Sequence, residues 1–292
     1  MGLGELKVQL QSYASNKYVQ GSKEFLQSNS IVAKFAFLIL VVILFSLFFS
    51  LGSYILAMIF TQDHNPILID GMINSKQMVI IPQNPSKKGA KPILRSNNER
   101  EGLEFTWSVW IFVNDEDFSA TQYKHIFHKG NDNIDSTGVN YPNNGPGLYL
   151  TPRINSSQGN TAGLKIKMNT FTKIDEDVVI SNLPLHKWVN IIIRVTKQNQ
   201  MDVYISGTLT KRVMLSGVPK QNYGDVYVSM NGGFDGNTAD LRYFESAIGT
   251  NKIKSIVDNG PNTTYAVGTM EVKEETNDYL STRWYLKTAV DT

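Results

Sequence analysis

The side chains that could perform acid–base or metal chemistry occur in a few short groups. Asp115-Glu-Asp117 and Asp175-Glu-Asp177 are carboxylate clusters, but adjacent residues of an extended chain point to opposite faces, so we expect both to form solvated turns rather than a hydrolytic pair. His125 and His128 are zinc ligands by type. A spacing of three places them on opposite faces of a strand, and no third ligand is close in the sequence, so we expect two surface or rim histidines.

Oxygen-rich segments raise the question of calcium. The segment 131–135 offers side-chain oxygens at alternate positions, but Ser136 stands where an EF-hand loop needs Gly and Pro142 where it needs Glu. Turns stabilised by Asn and Asp side chains are the simpler interpretation. We therefore predict no cofactor, and the weak calcium candidates are Asp132, Asp135, Asp235 and Asn237.

The long segment 130–147 combines amide, carboxylate and aromatic side chains, as a glycan site would require. Its candidate glycan-binding residues are Asp135, Tyr141, Asn143 and Asn144. Trp110 and Phe112 are predicted to project from the non-core face of their strand, where packing under a second layer or against a partner subunit is favoured over a glycan platform. N-glycosylation sequons begin at Asn155 and Asn262.

Composition excludes several function classes. The chain of 292 residues has no cysteine, which excludes a disulfide framework, a cysteine nucleophile and thiolate metal sites. Its net charge of +2 argues against a nucleic-acid partner. It also contains neither a Gly-x-Ser-x-Gly elbow nor a Walker-type phosphate loop.

Residues 35–60 form an uncharged run of 26 residues. As a helix the run would reach about 39 Å, which exceeds the ~30 Å hydrocarbon core of a bilayer. Because a polar leader precedes it, we predict an uncleaved signal anchor rather than a cleaved signal peptide. The leader holds four lysines and the chain beyond residue 60 is electrically neutral, so the N-terminus is expected on the cytoplasmic side.

The predicted organisation is therefore a polar or amphipathic leader at 1–34, a transmembrane segment at 35–60, a linker at 61–64 and one domain at 65–292. In that domain, period-2 segments separated by turn residues predict about ten strands in an all-β sandwich. The clearest predicted strands are 105–113, 189–195 and 201–205, with a turn at 197–200; Ile67–Ile69 and 77–81 are predicted as earlier strands. A short helix capped by Thr250 is predicted near 250–257.

Three blocks, in order, resemble the concanavalin A-like lectin/glucanase superfamily in its laminin G-like jelly-roll branch. They are Phe105-Thr-Trp-Ser-Val-Trp-Ile111 with His125–Gly130, then 185–207, then Gly233-Phe-Asp-Gly236 with Asp240–Phe244. The resemblance implies a mainly β, concanavalin A-like jelly-roll sandwich behind one N-terminal transmembrane helix. Glucanases of this superfamily carry Glu-x-Asp-x-x-Glu on one strand, and the chain contains no Glu-x-Asp, so we predict that it is not an enzyme.

A narrower resemblance is to membrane-anchored members of this branch in large icosahedral DNA viruses with an internal membrane. It rests on Val79–Pro85, Ile93–Glu99 and Gly102–Trp110. The resemblance implies a minor capsid or virion protein that links membrane and capsid through contacts with other proteins. The alternative is a lectin-like attachment protein displayed on a membrane that binds glycan.

Overall fold

The structure is a computed structural model of the whole chain and describes residues 20, 21, 24, 30–60, 63–96, 98–114, 121–152, 154–156, 159–266 and 271–272. Two compact units divide between Gln62 and Asp63, and each is described by itself. The predicted leader lies almost entirely outside the described residues, as do Asp115–Asp117 and the chain after residue 272.

The first unit contains helix α1 (Ile31–Phe60). It begins four residues before the predicted start because Ile31, Val32 and Ala33 extend the apolar run past the single charge at Lys34. Its segment Ile31–Met58 has a mean hydropathy of 2.9, and most of its apolar side chains are exposed. The helix is long and apolar enough to cross a membrane, as an anchor or as a signal sequence.

The second unit is a β-sandwich. In the described residues one antiparallel sheet, sheet A, has six strands in the order β1-β15-β5-β11-β12-β13. The other, sheet B, has the order β10-β9-β7-β6-β14-β2-β16, and β8 pairs with β9. The strand bounds are β1 Met72–Asn74, β2 Val79–Ile81, β3 Asn98–Glu99, β4 Gly102–Leu103, β5 Phe105–Val113, β6 Lys124–Gly130, β7 Asn144–Leu150, β8 Ile154–Ser156, β9 Gly159–Met168, β10 Glu176–Leu183, β11 Trp188–Thr196, β12 Gln200–Ile205, β13 Thr208–Met214, β14 Asp225–Val228, β15 Gly236–Phe244 and β16 Glu271–Val272.

The core lies between the inner faces of the two sheets. The alternating set predicted on β5 is buried there, and Trp107 packs on Phe127 of sheet B and on Tyr243 of β15, each with ring centroids 5.3 Å apart. The Trp107–Phe127 contact joins the two sheets, and the Trp107–Tyr243 contact joins the neighbouring strands β5 and β15. They confirm the core face that the period-2 pattern predicts.

A second, smaller cluster covers the outer face of sheet A. Helix α2 (Thr250–Asn259) buries Ile253 against Ile192, Tyr204, Phe244 and Ile248. The short helix is therefore confirmed, but the predicted cap is wrong: Gly249 is the N-cap, and no side chain caps the helix. Trp110 is only 5% exposed and lines a small cavity with Ile256 of this helix, so it packs under a second layer. Phe112 is half-buried and meets Trp188 edge to face.

Two predicted details of the chain path differ from the structure. Ile67–Ile69 is not a strand, because the amides of Leu68 and Ile69 both donate to the single carbonyl of Leu241 and only Ile67 forms a bridge. The turn between β11 and β12 has three residues, since Gln200 already pairs with Thr196 in the ladder.

Candidate functional site

The segment 131–143 connects β6 and β7 and carries three of the four candidate glycan-binding residues. Asp135 holds it in shape: one carboxylate oxygen accepts hydrogen bonds from the amide of Thr137 (2.9 Å), the hydroxyl of Thr137 (2.6 Å) and the amide of Val139 (3.1 Å). Burial acts to raise the pKa of Asp135, but these hydrogen bonds and Lys167 outweigh it and lower that pKa. Asp135 is thus an organiser of the loop.

Asn144, a candidate glycan-binding residue, is not on the exposed surface. Its side chain is fully buried, and its amide donates to the carbonyl of Asn140 at 2.7 Å. The Tyr149 hydroxyl donates to the side-chain oxygen Oδ1 of Asn144 at 2.6 Å and accepts from the backbone amide of Asn140 at 3.2 Å. Burial raises the pKa of Tyr149, which keeps this hydroxyl protonated. Asn144 fixes the end of the loop against β7.

Asp135, Tyr141 and Asn143 are the candidate glycan-binding residues that the structure leaves on the surface, and the Asp135 carboxylate is engaged within its own loop. The Tyr141 side chain is 47% exposed, and Asn143 is also exposed. The side-chain amides of Asn131 and Asn133 each donate to the Tyr141 carbonyl at 3.1 Å, which holds the backbone that presents the ring. An exposed aromatic ring beside amide groups can stack on a sugar and donate hydrogen bonds to its hydroxyls.

The two histidines are neither surface residues nor on opposite faces, which corrects the sequence-based prediction. His125 and His128 are buried, and His125 Nε2 lies 2.6 Å from His128 Nδ1. The pairing of β6 with β7 shifts register between His125 and Phe127 and again before Gly130. These bulges break the alternation of the strand and bring both rings to one side.

The hydrogen bonds around the pair define one protonation pattern. The Met230 amide donates to His125 Nδ1 at 3.0 Å, so the His125 proton sits on Nε2 and is donated to His128 Nδ1. His128 then donates its Nε2 proton to the Asn131 carbonyl at 2.7 Å. This histidine chain, from Met230 through His125 and His128 to Asn131, ties the loop to the turn after β14. Both imidazoles are neutral in it.

Burial lowers the pKa of both imidazoles. The pKa of His125 falls well below its usual value through burial and the neighbouring His128. Burial lowers the pKa of His128 from 6.5 to about 4, against smaller opposite effects of the Asn131 carbonyl and Asp132. Tyr227 stacks on His128 at 5.0 Å, and Tyr149 meets His125 at 5.4 Å. The surroundings of His125 and His128 therefore favour the uncharged form of both imidazoles.

The interactions of the calcium candidates do not bring them together into one site. Asp135 is committed to its own loop, and Asp235 lies 3.5 Å from the Lys76 amine. Asn237 is a half-buried residue of β15 that pairs with Phe112 and Asn74. Within the described part of the chain, no group of three or more His, Asp or Glu side chains could hold a metal ion.

Asp175 and Asp177 are 44% and 40% exposed and form ion pairs, whereas Glu176 accepts hydrogen bonds. Glu176 and Asp177 begin β10, where Lys165 lies 2.7 Å from Asp177 and Lys167 lies 2.8 Å from Asp175. The Glu176 carboxylate accepts the amide of Ser216 at 2.8 Å. These residues tie strands together, and their geometry offers no carboxylate pair facing a cleft.

The sequons differ in what the structure describes. Asn262 is exposed; its side-chain oxygen accepts from the amide and hydroxyl of Thr264, and its side-chain nitrogen donates to an Asp70 carboxylate oxygen at 3.4 Å. Asn155 is on β8, and its side chain lies outside the described residues.

No family model and no curated protein matches the chain. Solved structures do. One is the ligand-binding domain of botulinum neurotoxin serotype D in complex with N-acetylneuraminic acid, with 11% identity and a TM-score of 0.45 over 65% of this chain and 42% of that one. Another is the binding domain of botulinum neurotoxin DC in complex with rat synaptotagmin II, with 15% identity and a TM-score of 0.38 over 54% of this chain and 36% of that one. The chain thus spans about two fifths of the length of these toxin domains.

Proposed function

We propose that the protein is a non-enzymatic, membrane-anchored structural protein whose β-sandwich contacts other proteins, as a minor capsid or virion protein of a large DNA virus. The observation that carries the proposal is a long apolar helix in the same chain as a sandwich with an exposed, partly apolar edge. The narrower resemblance of Val79–Pro85 and Gly102–Trp110 to such viral proteins supports the viral part of it. The N-terminus then faces the cytoplasmic side.

The exposed edge consists of β10, β13 and the turn 169–175. The Lys211 amine of β13 donates to the Val179 carbonyl of β10 at 2.9 Å, which links the outermost strands of the two sheets. Among the described residues, β13 pairs with β12 alone and has a free edge. Exposed apolar side chains along this β10–β13 edge are Phe171, Ile174, Val179, Leu209 and Met214.

Such an edge suits contact with another protein. Unpaired backbone donors and acceptors of an edge strand can add a strand from a partner, and the apolar side chains exclude water from the contact. The charged Lys211 and Arg212 on the same strand limit self-association and favour a chosen partner. A protein held in a membrane by one helix could in this way be joined to a protein shell.

The first experiment tests the anchor and the particle together. The full chain should be present in purified particles at a fixed stoichiometry and should remain with the membrane after washing with alkaline carbonate. We expect the double variant Leu209→Lys/Met214→Lys to lower crosslinking to neighbouring particle proteins by about tenfold, because it places two charges in the apolar contact. Tyr265→Lys, at an exposed aromatic outside the edge, is the matched control.

Two results would contradict the proposal: absence of the chain from purified particles, or its release by carbonate. Equal crosslinking of the double variant and the Tyr265→Lys control would reject the β10–β13 edge as the contact.

Glycan binding is the second candidate, and the exposed Tyr141 beside Asn143 is the observation that favours it. On this hypothesis the full chain in detergent binds to a glycan array. Tyr141→Ala lowers the signal by about tenfold, because the tyrosine ring no longer stacks on the sugar. Tyr223→Ala, at another highly exposed tyrosine, should leave the signal unchanged. Absence of array binding, with or without added calcium, would reject this candidate.

A further inference from the structure

The two strands of the β10–β13 edge differ in how free their backbone is. In sheet B the Val179 carbonyl of β10 accepts the Lys211 amine at 2.9 Å, so this acceptor of β10 is already occupied. Strand β13 ends sheet A, and its residues are exposed apart from half-buried Val213. Of the two, β13 is therefore the strand beside which another extended chain has room to pair.

The hydrogen bonds between β12 and β13 show which backbone groups of β13 are free. The Leu215 amide donates to the Asn199 carbonyl at 2.8 Å, and these two residues continue the register of the β12–β13 pair. Opposite residues of an antiparallel pair alternate between those that exchange hydrogen bonds and those that do not. Counting back from Leu215, Met214 and Arg212 belong to the second class, so their N–H and C=O groups point away from β12.

The side chains of these residues project from the outer face of sheet A. Arg212 lies opposite Asp202, and its Nε and Nη2 donate to the two carboxylate oxygens at 2.6 Å and 3.0 Å. Met214 lies on the same face two residues away and is exposed. Leu209, also exposed, lies opposite Tyr204, a member of the cluster on that face. An added strand would thus meet a cation between two apolar side chains.

The charge of this part of the outer face is positive. Asp202 is fully buried, and its one negative charge is shared by Arg212 and by Arg194, whose Nη1 lies 4.0 Å away. These three side chains therefore carry a net charge of +1, and about half of the Arg212 side chain is exposed. Arg212 uses two of its five N–H donors on Asp202, so others can reach a second carboxylate.

The same cations argue against a second copy of the chain as the occupant. The pairing of β13 with β12 shifts register between Leu209 and Lys211, which limits the regular part of the edge to Lys211–Met214. Two copies paired along this part would place four cations, Lys211 and Arg212 of each, in one short ladder. Like charges on paired strands are destabilising, whereas a carboxylate opposite Arg212 is favourable.

We propose that β13 binds an extended segment of another protein as an additional antiparallel strand of sheet A, with a carboxylate opposite Arg212 and an apolar side chain two residues away on each side. Backbone pairing with Arg212 and Met214 supplies the affinity, and the side-chain pattern supplies the selection. The strand addition rests on the proposed function, because it specifies how the β10–β13 edge would contact a neighbouring protein.

The test uses the full chain in detergent and a fluorescein-labelled, amidated peptide, Thr-Val-Thr-Glu-Thr-Val-Thr, observed by fluorescence anisotropy. We expect saturable binding, and at least about tenfold weaker binding when lysine replaces the glutamate. N-methylation of the glutamate and both valines removes the donors that would face β13, so it should weaken binding at least about tenfold. N-methylation of the two threonines beside the glutamate removes donors that face away, and should weaken binding less than about threefold.

A proline variant tests the protein side of the same pairing. Met214→Pro removes the outward N–H of β13 but no hydrogen bond to β12, and proline is tolerated where the N–H of an edge strand faces solvent. We expect it to weaken peptide binding at least about tenfold. Met214→Ala is the matched control, since it keeps the N–H and loses only an exposed side chain, and the loss should stay below about threefold. The N-methylated peptides test the pairing on wild-type protein even if Met214→Pro does not fold.

Failure of the wild-type protein to bind the peptide would overturn the proposal. Equal affinities for the two N-methylated peptides would do the same, because binding would not use the edge, and so would equal affinities for the glutamate and lysine peptides. Dimers that form with rising concentration and are lost in Met214→Pro would assign β13 to a second copy and also overturn it. The proposed function has a separate readout: crosslinking in particles that falls in Leu209→Lys/Met214→Lys supports the edge even where strand addition fails.

Discussion

Replacing Trp107 by alanine is expected to lower the free energy of unfolding by about 4 kcal/mol. The Trp107 side chain is 1% exposed and contacts Phe127 of sheet B and Tyr243 of sheet A, so its removal opens a cavity between the two sheets. Neighbouring rings that are held by their own strands can only partly fill such a cavity. The loss includes both the transfer of an aromatic side chain to water and the missing contacts.

Urea unfolding of the full chain in detergent, followed by near-ultraviolet circular dichroism, measures this loss as a lower midpoint with an unchanged slope. Trp188→Ala is the matched control: Trp188 is half-buried at the start of β11 and meets only Phe112 among aromatic rings of the described residues. We expect a loss below about half that of Trp107→Ala. Equal losses for the two variants would contradict the inter-sheet role of Trp107.

Acidification is expected to destabilise the sandwich through the histidine chain, by about 3 kcal/mol from His128 alone as the pH falls from 6.5 to about 4. The pKa of His128 is depressed in the folded state, so the unfolded chain takes up this proton first. The His128 contribution to the free energy of unfolding is therefore fully present above pH 6.5 and falls as the pH drops from 6.5 to about 4. It is lost once the imidazole of the folded protein is itself protonated. His125, with a pKa lowered in the same direction, adds to the loss.

The geometry explains why protonation of His125 or His128 is unfavourable in the folded protein. A proton added to His125 Nδ1 would face the Met230 amide, and one added to His128 Nδ1 would face the donated proton of His125. The other titratable groups around the pair are Tyr149, Tyr227 and Asp132; Tyr227 has a pKa raised mainly by burial, and Asp132 acts to raise the pKa of His128. Acid should therefore release the loop from the turn after β14.

The measurement is urea unfolding from about pH 7 to about pH 4 for wild type and for His125→Gln/His128→Gln, whose side chains do not titrate. The variant should lose clearly less stability over this range than wild type. His186→Asn is the control, because His186 is exposed and asparagine tolerates its positive φ of 55°. NMR titration of wild type supplies a test that needs no variant: His128 titration near 6.5 rather than near 4 would contradict the prediction.

Much of the sandwich follows from the sequence because its longest strands have one clear apolar face. Odd-numbered residues from Phe105 to Val113 form the core face of β5, and Val189 to Val195 form that of β11. The sequence favoured packing of Trp110 under a second layer, but alternation alone could not identify which segment forms that layer. Ser108 and Trp110 are buried on the opposite face because helix α2 and Ile248 lie over sheet A, and this depends on contacts between residues more than a hundred positions apart.

The arrangement of the candidate site was harder to predict than the sandwich, because the local backbone geometry of individual residues decides which side chains are exposed. Alternation assigns His125 and His128 to opposite faces, and two register shifts in β6 reverse that assignment. Asparagine is a residue type common in loops, yet Asn144 is the first residue of β7 and is buried under the Tyr149 hydroxyl. The burial of Lys129 gave no clear signal in the sequence, because Ile126 and Phe127 both lie in the core and alternation along β6 does not mark a single inner face.

The place of β15 between β1 and β5 controls when the domain can fold during synthesis. The chain emerges from the ribosome in sequence order, and β5 pairs on one side with β15, which ends only at Phe244. Sheet A therefore stays incomplete until nearly the whole domain has been translated, and pairing between such distant segments is slow. Until β15 has been made, the growing domain exposes the unpaired edge of β5 and must be protected from aggregation.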